Sequence, residues 1–285
     1  MTEFDNTTSF FERSEEDMWR PYADDLQRTM RDAVVGCCPA AYDEQFQPSS
    51  RYITRRQFYA VHEAVAFANY TGCILNVEVT IAWASMGYRY GQEVERVSGL
   101  WMQSLRKFMR RNGVPNYNYT AFERSNVFGL HSHSSIHVPI PVYLQFKRWL
   151  TRYIARLDRV GFRRRLHVRR RRETDSARAI DEQWRWFRYC FKGVHPFLSP
   201  EEREVNDIAV DDSFADVFGL KHRYSGIVTL PRVRLAQDMQ KKARREAAYP
   251  ERLYLIDCIS RRYSNCEYQR GEADRRTEML RMKFL

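Results

Sequence analysis

His131-Ser132-His133 and Tyr189 are the residues of this chain whose type and spacing could do chemistry. The histidines fall in a stretch that reads as a β-strand, where residues two apart point to one face. Two imidazoles about 7 Å apart along a strand can converge on one ion. Glu123 lies eight positions before the first histidine. If 117–123 and 129–138 form a hairpin turning near residues 127 and 128, the carboxylate comes to lie across the ladder from His131 or His133. Two imidazoles and one carboxylate with open positions suit a divalent ion that still admits a phosphate oxygen. His137, further along the same segment, is a candidate spare ligand. The alternative for so short a motif is a pair of hydrogen-bonded histidines without a metal. A structural zinc is disfavoured, because no cysteine lies near the cluster.

Tyr189 sits on a helix read over 180–191. Ile180, Trp184, Phe187 and Phe191 share its apolar face, and Arg185, Tyr189 and Lys192 fall on the other at i, i+4 and i+7. A phenol titrates near pH ~10, and neighbouring cations favour its phenolate, the form that attacks a phosphodiester. The same cations can neutralise charge on phosphoryl oxygens in the transition state. The alternative is an exposed tyrosine among ordinary surface charges.

The elements needed to position these groups are legible in outline. Thr54-Arg55-Arg56-Gln57 has capping-box form, with Phe58, Val61, Val65 and Ala68 following at helical spacing and Gly72 as a stop. Residues 73–83 alternate as a half-buried strand. Val94, Val97, Trp101, Leu105 and Phe108 form one face of a helix closed by Asn112-Gly113. Its last turn carries Arg106, Lys107, Arg110 and Arg111, which suits the helix dipole and equally a phosphate backbone. Past the hairpin, Phe146, Trp149, Leu150, Tyr153, Ile154 and Leu157 make an apolar stripe, and 162–172 reads as another strand. The expected fold class is α+β, a mainly antiparallel sheet backed by helices. The expected divisions are a polar lead-in over 1–50, a catalytic domain over 51–196 and a basic, mostly helical appendage over 197–285.

Lys and Arg number 47 against 36 Asp and Glu, a formal charge of +11, which favours polyanionic partners. No apolar stretch approaches the ~20 residues of a membrane span, and the N-terminus is acidic where a secretory signal would be basic. The six cysteines include no Cys-x-x-Cys pair, so a reducing cytoplasm is the expected compartment. Arg163-Arg164-Arg165 and Arg169-Arg170-Arg171-Arg172 place seven arginines in ten residues. That exceeds what protection of a sheet edge needs and points to a ridge tracking phosphates, with Arg185 as a further contact. Lys241, Lys242, Arg244 and Arg245 suit duplex binding or a solvated helix face equally.

The order of the pieces resembles the three motifs of HUH endonucleases, the rolling-circle replication initiators (Rep proteins) of plasmids and small viruses. A strand with Val79-Thr80-Ile81 comes first, then Glu123 with His131-Ser132-His133, then Tyr189-Cys190-Phe191-Lys192. Glu-x7-His-x-His and Tyr-Cys-x-Lys look like the single-tyrosine subgroup. Gly129 to Pro139 and Tyr189 to Gly193 are similar to blocks of a looser group of bacterial Rep-like proteins. A cupin-type arrangement matches less well, since its glutamate follows the histidines closely and Ser134 to Pro139 has none. The resemblance covers 73–193. It implies a palm-like sheet with the histidines on a central strand, and Mg²⁺ or Mn²⁺ held by Glu123, His131 and His133. It further implies Tyr189 as nucleophile with Lys192 beside it, leaving a 5′-phosphotyrosine and a free 3′-OH. The implied partners are single-stranded DNA at an origin or hairpin, and a host replication helicase and polymerase, since no Walker A loop is present. Ser132 stands where the family usually has an apolar residue, which predicts a less buried far face of the sheet. The competing expectation is a non-catalytic, basic nucleic-acid-binding protein with structural histidines.

Overall fold

Thr54 starts the first helix, α1 (Arg55–Tyr70), through a reciprocal cap: its Oγ1 accepts from the Gln57 amide at 3.2 Å, and Gln57 Oε1 accepts from the Thr54 amide at 2.9 Å. Two orphan amides of the first turn are thereby satisfied. In this computed structural model the described residues are 50–126, 128–161, 165–171, 175–196, 212–223, 225–249 and 263–283. The lead-in up to residue 49, and Arg163, Arg164 and Arg172, lie outside them.

After α1 come β1 (Val77–Ile81), α2 (Gly91–Arg111), β2 (Asn118–Ser125), β3 (Gly129–Ile136), α3 (Ile140–Leu157), β4 (Leu166–Arg170) and α4 (Ser176–Cys190). A short α5 (Phe214–Val217), β5 (Val233–Leu235), α6 (Lys241–Glu246) and α7 (Cys266–Lys283) follow. The five strands form one antiparallel sheet in the order β4-β1-β3-β2-β5. This is the α+β class expected. The strands are shorter than the sequence pattern suggested, 77–81 rather than 73–83 and 166–170 rather than 162–172. α4 begins four residues earlier than read, where Asp175 caps the Ala177 amide at 3.1 Å. No helix among the described residues is long and apolar enough to cross a membrane.

Strand alternation divides the sheet chemically. On one face, Val77, Val79, Ile81, Phe122, Leu130 and Ile136 are buried with Val94, Trp101, Leu105 and Phe108 of α2 and Phe146, Leu150 and Ile154 of α3. On the other, Tyr119 and Ala121 join α1 and α4 around Phe58, Ile180, Phe187 and Phe191. Ser132 belongs to the α2–α3 face and is fully buried, accepting a hydrogen bond from the Trp83 indole at 2.9 Å. The less buried far face predicted from this serine is therefore not found. The indole N–H supplies the partner that lets a hydroxyl replace an apolar side chain.

Residues expected to form an appendage share this core. β5 pairs with β2, Tyr119 opposite Leu235, and Phe214 and Phe218 pack edge-on against Phe58 with ring centroids 5.1 and 4.9 Å away. α7 lies on α1 so closely that a Cβ on Gly271 would stand 1.8 Å from the Tyr70 carbonyl oxygen. Arg232 is buried and donates to the carbonyls of Ser50 at 2.7 Å, Arg51 at 2.9 Å and Ser225 at 3.2 Å.

One member of the arginine run departs from its expected role. Arg171 is buried and its guanidinium is shared by Glu78 of β1 and Glu182 of α4, the latter at 2.8 Å. Burial lowers the arginine's pKa on balance, against the opposing pull of the two carboxylates, so the buried guanidinium depends on its partners for the hydration it has lost. Arg171→Ala should therefore cost about 3–5 kcal/mol, by stranding two carboxylates. Arg169→Ala, on an exposed neighbour, should stay within about 0.5 kcal/mol. Equal melting temperatures in a thermal scan would refute the triad's structural role.

Candidate metal and tyrosine site

The β2–β3 register pairs Glu123 with His131 directly, Ala121 with His133, and closes the hairpin by Ser125 opposite Gly129. The turn falls where the sequence placed it. Glu123, His131 and His133 project from the face covered by α4, and their ligand atoms lie within 4.8 Å of one another. His131 Nε2 is 3.3 Å from Glu123 Oε1, and His133 Nε2 is 3.8 Å from Glu123 Oε2.

The hydrogen bonds behind the rings fix what the front nitrogens offer. His131 Nδ1 is 2.9 Å from the Gly129 carbonyl, which can only accept, so the proton sits on Nδ1. In the neutral ring, the Nε2 lone pair then faces a carboxylate oxygen, acceptor against acceptor. A proton or a cation must lie between them. His133 Nδ1 is 3.0 Å from Thr80 Oγ1 of β1. Its Nε2 is buried with no hydrogen-bond partner, an orphaned atom of the kind a metal would satisfy. The donor set thus fits a divalent ion. Burial would raise the Glu123 carboxyl, but its hydrogen bond with His131 and the positive surroundings, Lys192 among them, overcome it and hold the group well below the usual carboxylate range. Burial also pushes His133 well below an ordinary histidine, against the opposing pull of Glu123. Its lone pair is available at neutral pH.

α4 delivers Tyr189 to this cluster because polar side chains clamp the helix to α1, to the segment leading into β1 and to β3. Gln183 Oε1 accepts from the Leu75 amide at 2.6 Å while its Nε2 donates to Asn69 at 3.0 Å. The Trp186 indole donates to the Ser134 carbonyl at 3.3 Å. Trp186 then stacks on Tyr189, centroids 5.1 Å apart and 15° from parallel, and Tyr189 meets His133 edge-on at 5.1 Å. Past the helix end the chain turns inward, so Lys192 is buried rather than on an outer helical face. Its Nζ lies 3.1 Å from Glu123 Oε2 and 3.7 Å from the centre of the Tyr189 ring. Gly193 permits that turn, since a Cβ there would meet Ser225 Oγ at 2.0 Å.

Other expected contacts do not join the site. Arg185 is exposed and bound by Glu182 one turn back at 2.5 Å, while Lys192 lies over the Tyr189 ring. His137 lies beyond β3, its Nδ1 2.8 Å from the Ile74 carbonyl, outside the ligand group. Arg165 is paired with Asp158, and Arg170 covers the Tyr143 ring on the far face at 5.0 Å. Arg169 alone of the described run is exposed. In α6, Lys242 is 3.8 Å from Glu246 and Arg244 donates to the Met239 carbonyl. Sequence reasoning assigned no role to Thr80 or Trp186. Strand alternation could have placed Thr80 beside the histidines, and its spacing of three from Tyr189 could have found Trp186.

His133, His137 and His167 are all depressed chiefly by burial. The unfolded chain titrates these groups near pH 6.5, so below about pH 6.5 it binds more protons than the native state. Stability should be level above that pH and fall as the pH drops toward 5. Glu123, also depressed, keeps its contribution throughout this window. His167→Gln should reduce the acid loss of melting temperature, and a flat profile from pH 7 to 5 would contradict the assignment. No protein-family model, curated protein or solved structure matches the chain, and the functional reading rests on the chemistry of these side chains.

Proposed function

We propose that the chain is a cytoplasmic, metal-dependent single-strand DNA endonuclease and strand transferase of the HUH type, which starts rolling-circle replication through a 5′-phosphotyrosine. The observation that carries this is the convergence of Tyr189 on His133, at 5.1 Å between rings, beside the Glu123–His131–His133 ligand group. Bound there, Mg²⁺ or Mn²⁺ would supply Lewis-acid polarisation of a phosphodiester oxygen, and mixed nitrogen and oxygen ligands suit Mn²⁺ at least as well.

The remaining work belongs to the chain. Trp186 and His133 hold the phenol in place, which lowers the entropy lost on reaching an in-line geometry. The Tyr189 hydroxyl gives up its proton to water as its oxygen forms the bond to phosphorus, the bond to the 3′-oxygen breaks, and that oxygen takes a proton from water to become the 3′-OH. Lys192, over the ring and against Glu123, supplies positive charge where the phosphoryl oxygens gain negative charge. The free 3′-OH can attack the phosphotyrosine in reverse, which gives strand transfer. The substrate would be single-stranded DNA at an origin or hairpin, with Arg169 as a backbone contact and a host helicase and polymerase acting after the nick.

A second reading draws on the Lys192–Glu123 ion pair, which already satisfies one carboxylate oxygen without a metal. It makes the chain a non-catalytic nucleic-acid-binding protein. Covalent adduct formation separates the two. Wild-type protein with Mn²⁺ and a single-stranded oligonucleotide should yield an adduct mapping to Tyr189. Tyr189→Phe should abolish it while leaving fold and DNA affinity intact, and Lys192→Ala should slow it. An adduct on another tyrosine would displace the assignment, and none under any metal would favour the binding protein.

Metal binding has its own readout. Mn²⁺ at about 100 times its dissociation constant should stabilise the wild type by about 2.7 kcal/mol. The His131→Ala, His133→Ala double variant should show no such rise in melting temperature. Equal stabilisation of both would remove these residues as ligands.

A further inference from the structure

The sheet face opposite Tyr189 is covered by α2 and α3, and the outer surface of this helix pair is strongly one-signed. α3 contains Lys147, Arg148, Arg152 and Arg156 and no Asp or Glu in its 18 residues. α2 has no acidic residue after Glu95, and Lys107 and Arg111 are exposed on its last turns. All six side chains are exposed, and none has a carboxylate partner among the described residues. Several arginines elsewhere are paired with carboxylates: Arg159 with Glu93, Arg165 with Asp158, Arg171 with Glu78 and Glu182, Arg276 with Glu272. Six cations left without carboxylates on adjoining helices call for an anionic partner.

The seam between the helices says which one. Phe108 of α2 stacks on Trp149 of α3, centroids 4.7 Å apart, and Trp149 stacks on Tyr153 at 5.6 Å. Lys107 and Arg111 lie on one side of Phe108 along α2, and Arg148 and Arg152 on one side of Trp149 along α3, by their spacing of −1 and +3. Arg148, Arg152 and Arg156 follow at four-residue steps, about 6 Å of rise each, and so form one stripe. The rings are spent on one another rather than presented as open platforms, so the surface lacks the stacking faces that hold unpaired bases. What it offers is a row of point charges, the requirement for tracking a phosphate backbone.

We propose that the α2–α3 face is a second nucleic-acid surface that binds the phosphate backbone of duplex DNA without reading sequence, on the side of the sheet away from the tyrosine. It would let one molecule hold a duplex while the opposite face handles a single strand, and it does not depend on the proposed nicking activity. The test is fluorescence anisotropy of the full chain with a labelled mixed-sequence duplex across a salt titration. Arg148→Gln/Arg152→Gln/Arg156→Gln should flatten the slope of log K against log salt by about 2–3, at 0.9 per lost phosphate contact, and weaken low-salt affinity by about tenfold. Lys107→Gln/Arg111→Gln, on the other helix, should flatten it by about 1–2 and guards against a folding defect in the first variant. Affinity for a short single-stranded oligonucleotide should be unchanged in both. An unchanged duplex slope in both variants would overturn the proposal, as would equal losses for duplex and single strand. Loss of binding to phosphatidylserine vesicles with duplex binding intact would assign the face to a membrane surface instead, with Ile140 and Leu144, each 65% exposed, as the apolar contacts.

Discussion

The pairing of Glu123 with His131 across β2 and β3 is the constraint on which the site depends. A slip of one residue would turn the carboxylate into the apolar face occupied by Phe122 and Leu130, and turn such apolar side chains toward α4. Such a slip is opposed at several points along the ladder. Phe122, Leu130 and Ile136 are buried on the far face, Thr120 and Ser134 share a hydrogen bond of 2.8 Å across the pair, and Trp83 reaches Ser132. The register is thus set by groups outside the Glu123–His131–His133 cluster.

The same division of labour explains how a buried carboxylate stays ionised. Glu123 has two imidazoles and an ammonium around it, and the attraction outweighs its lost hydration. Arg171 solves the converse problem with two carboxylates. These centres of opposite sign both lie on the α4 face, and together with Gln183 and Trp186 they fasten α4 at polar points along its length. Polar anchoring suits a helix whose task is to hold one ring against another, because directional bonds fix rotation where apolar packing alone would tolerate it.

Local information in the sequence made α1, α2, the hairpin and the Glu123–His131–His133 group legible. A capping box, a helical stripe and the arithmetic of a two-strand turn each need only neighbouring residues. What escaped were contacts made across the chain. Arg171 looks like its exposed neighbour Arg169 until Glu78 and Glu182, on other elements, are brought to it. Arg185 shares a helical face with Tyr189 on paper, yet the nearer Glu182 takes its charge. Lys192 left the expected face because the helix ends at Cys190 and Gly193 turns the chain inward. β5 is three residues long, too short to show alternation, and only its partner β2 makes it a strand.

Arg232 and the segments it ties together set an order of events during synthesis. The turn that carries Lys192 is held from both ends of the chain: the Ile53 amide donates to the Gly193 carbonyl at 2.9 Å, and the Arg223 amide donates to the Lys192 carbonyl at 2.9 Å. Arg232 in turn gathers the carbonyls of Ser50, Arg51 and Ser225 around one guanidinium. A nascent chain that has released Tyr189 and the histidines already has Ile53 but still lacks the downstream partners of the turn that seats the lysine. The downstream partners, Arg223 and Arg232, emerge 31 and 40 residues after Lys192. Closure of the cluster is therefore deferred until the segment around Arg232 has left the ribosome.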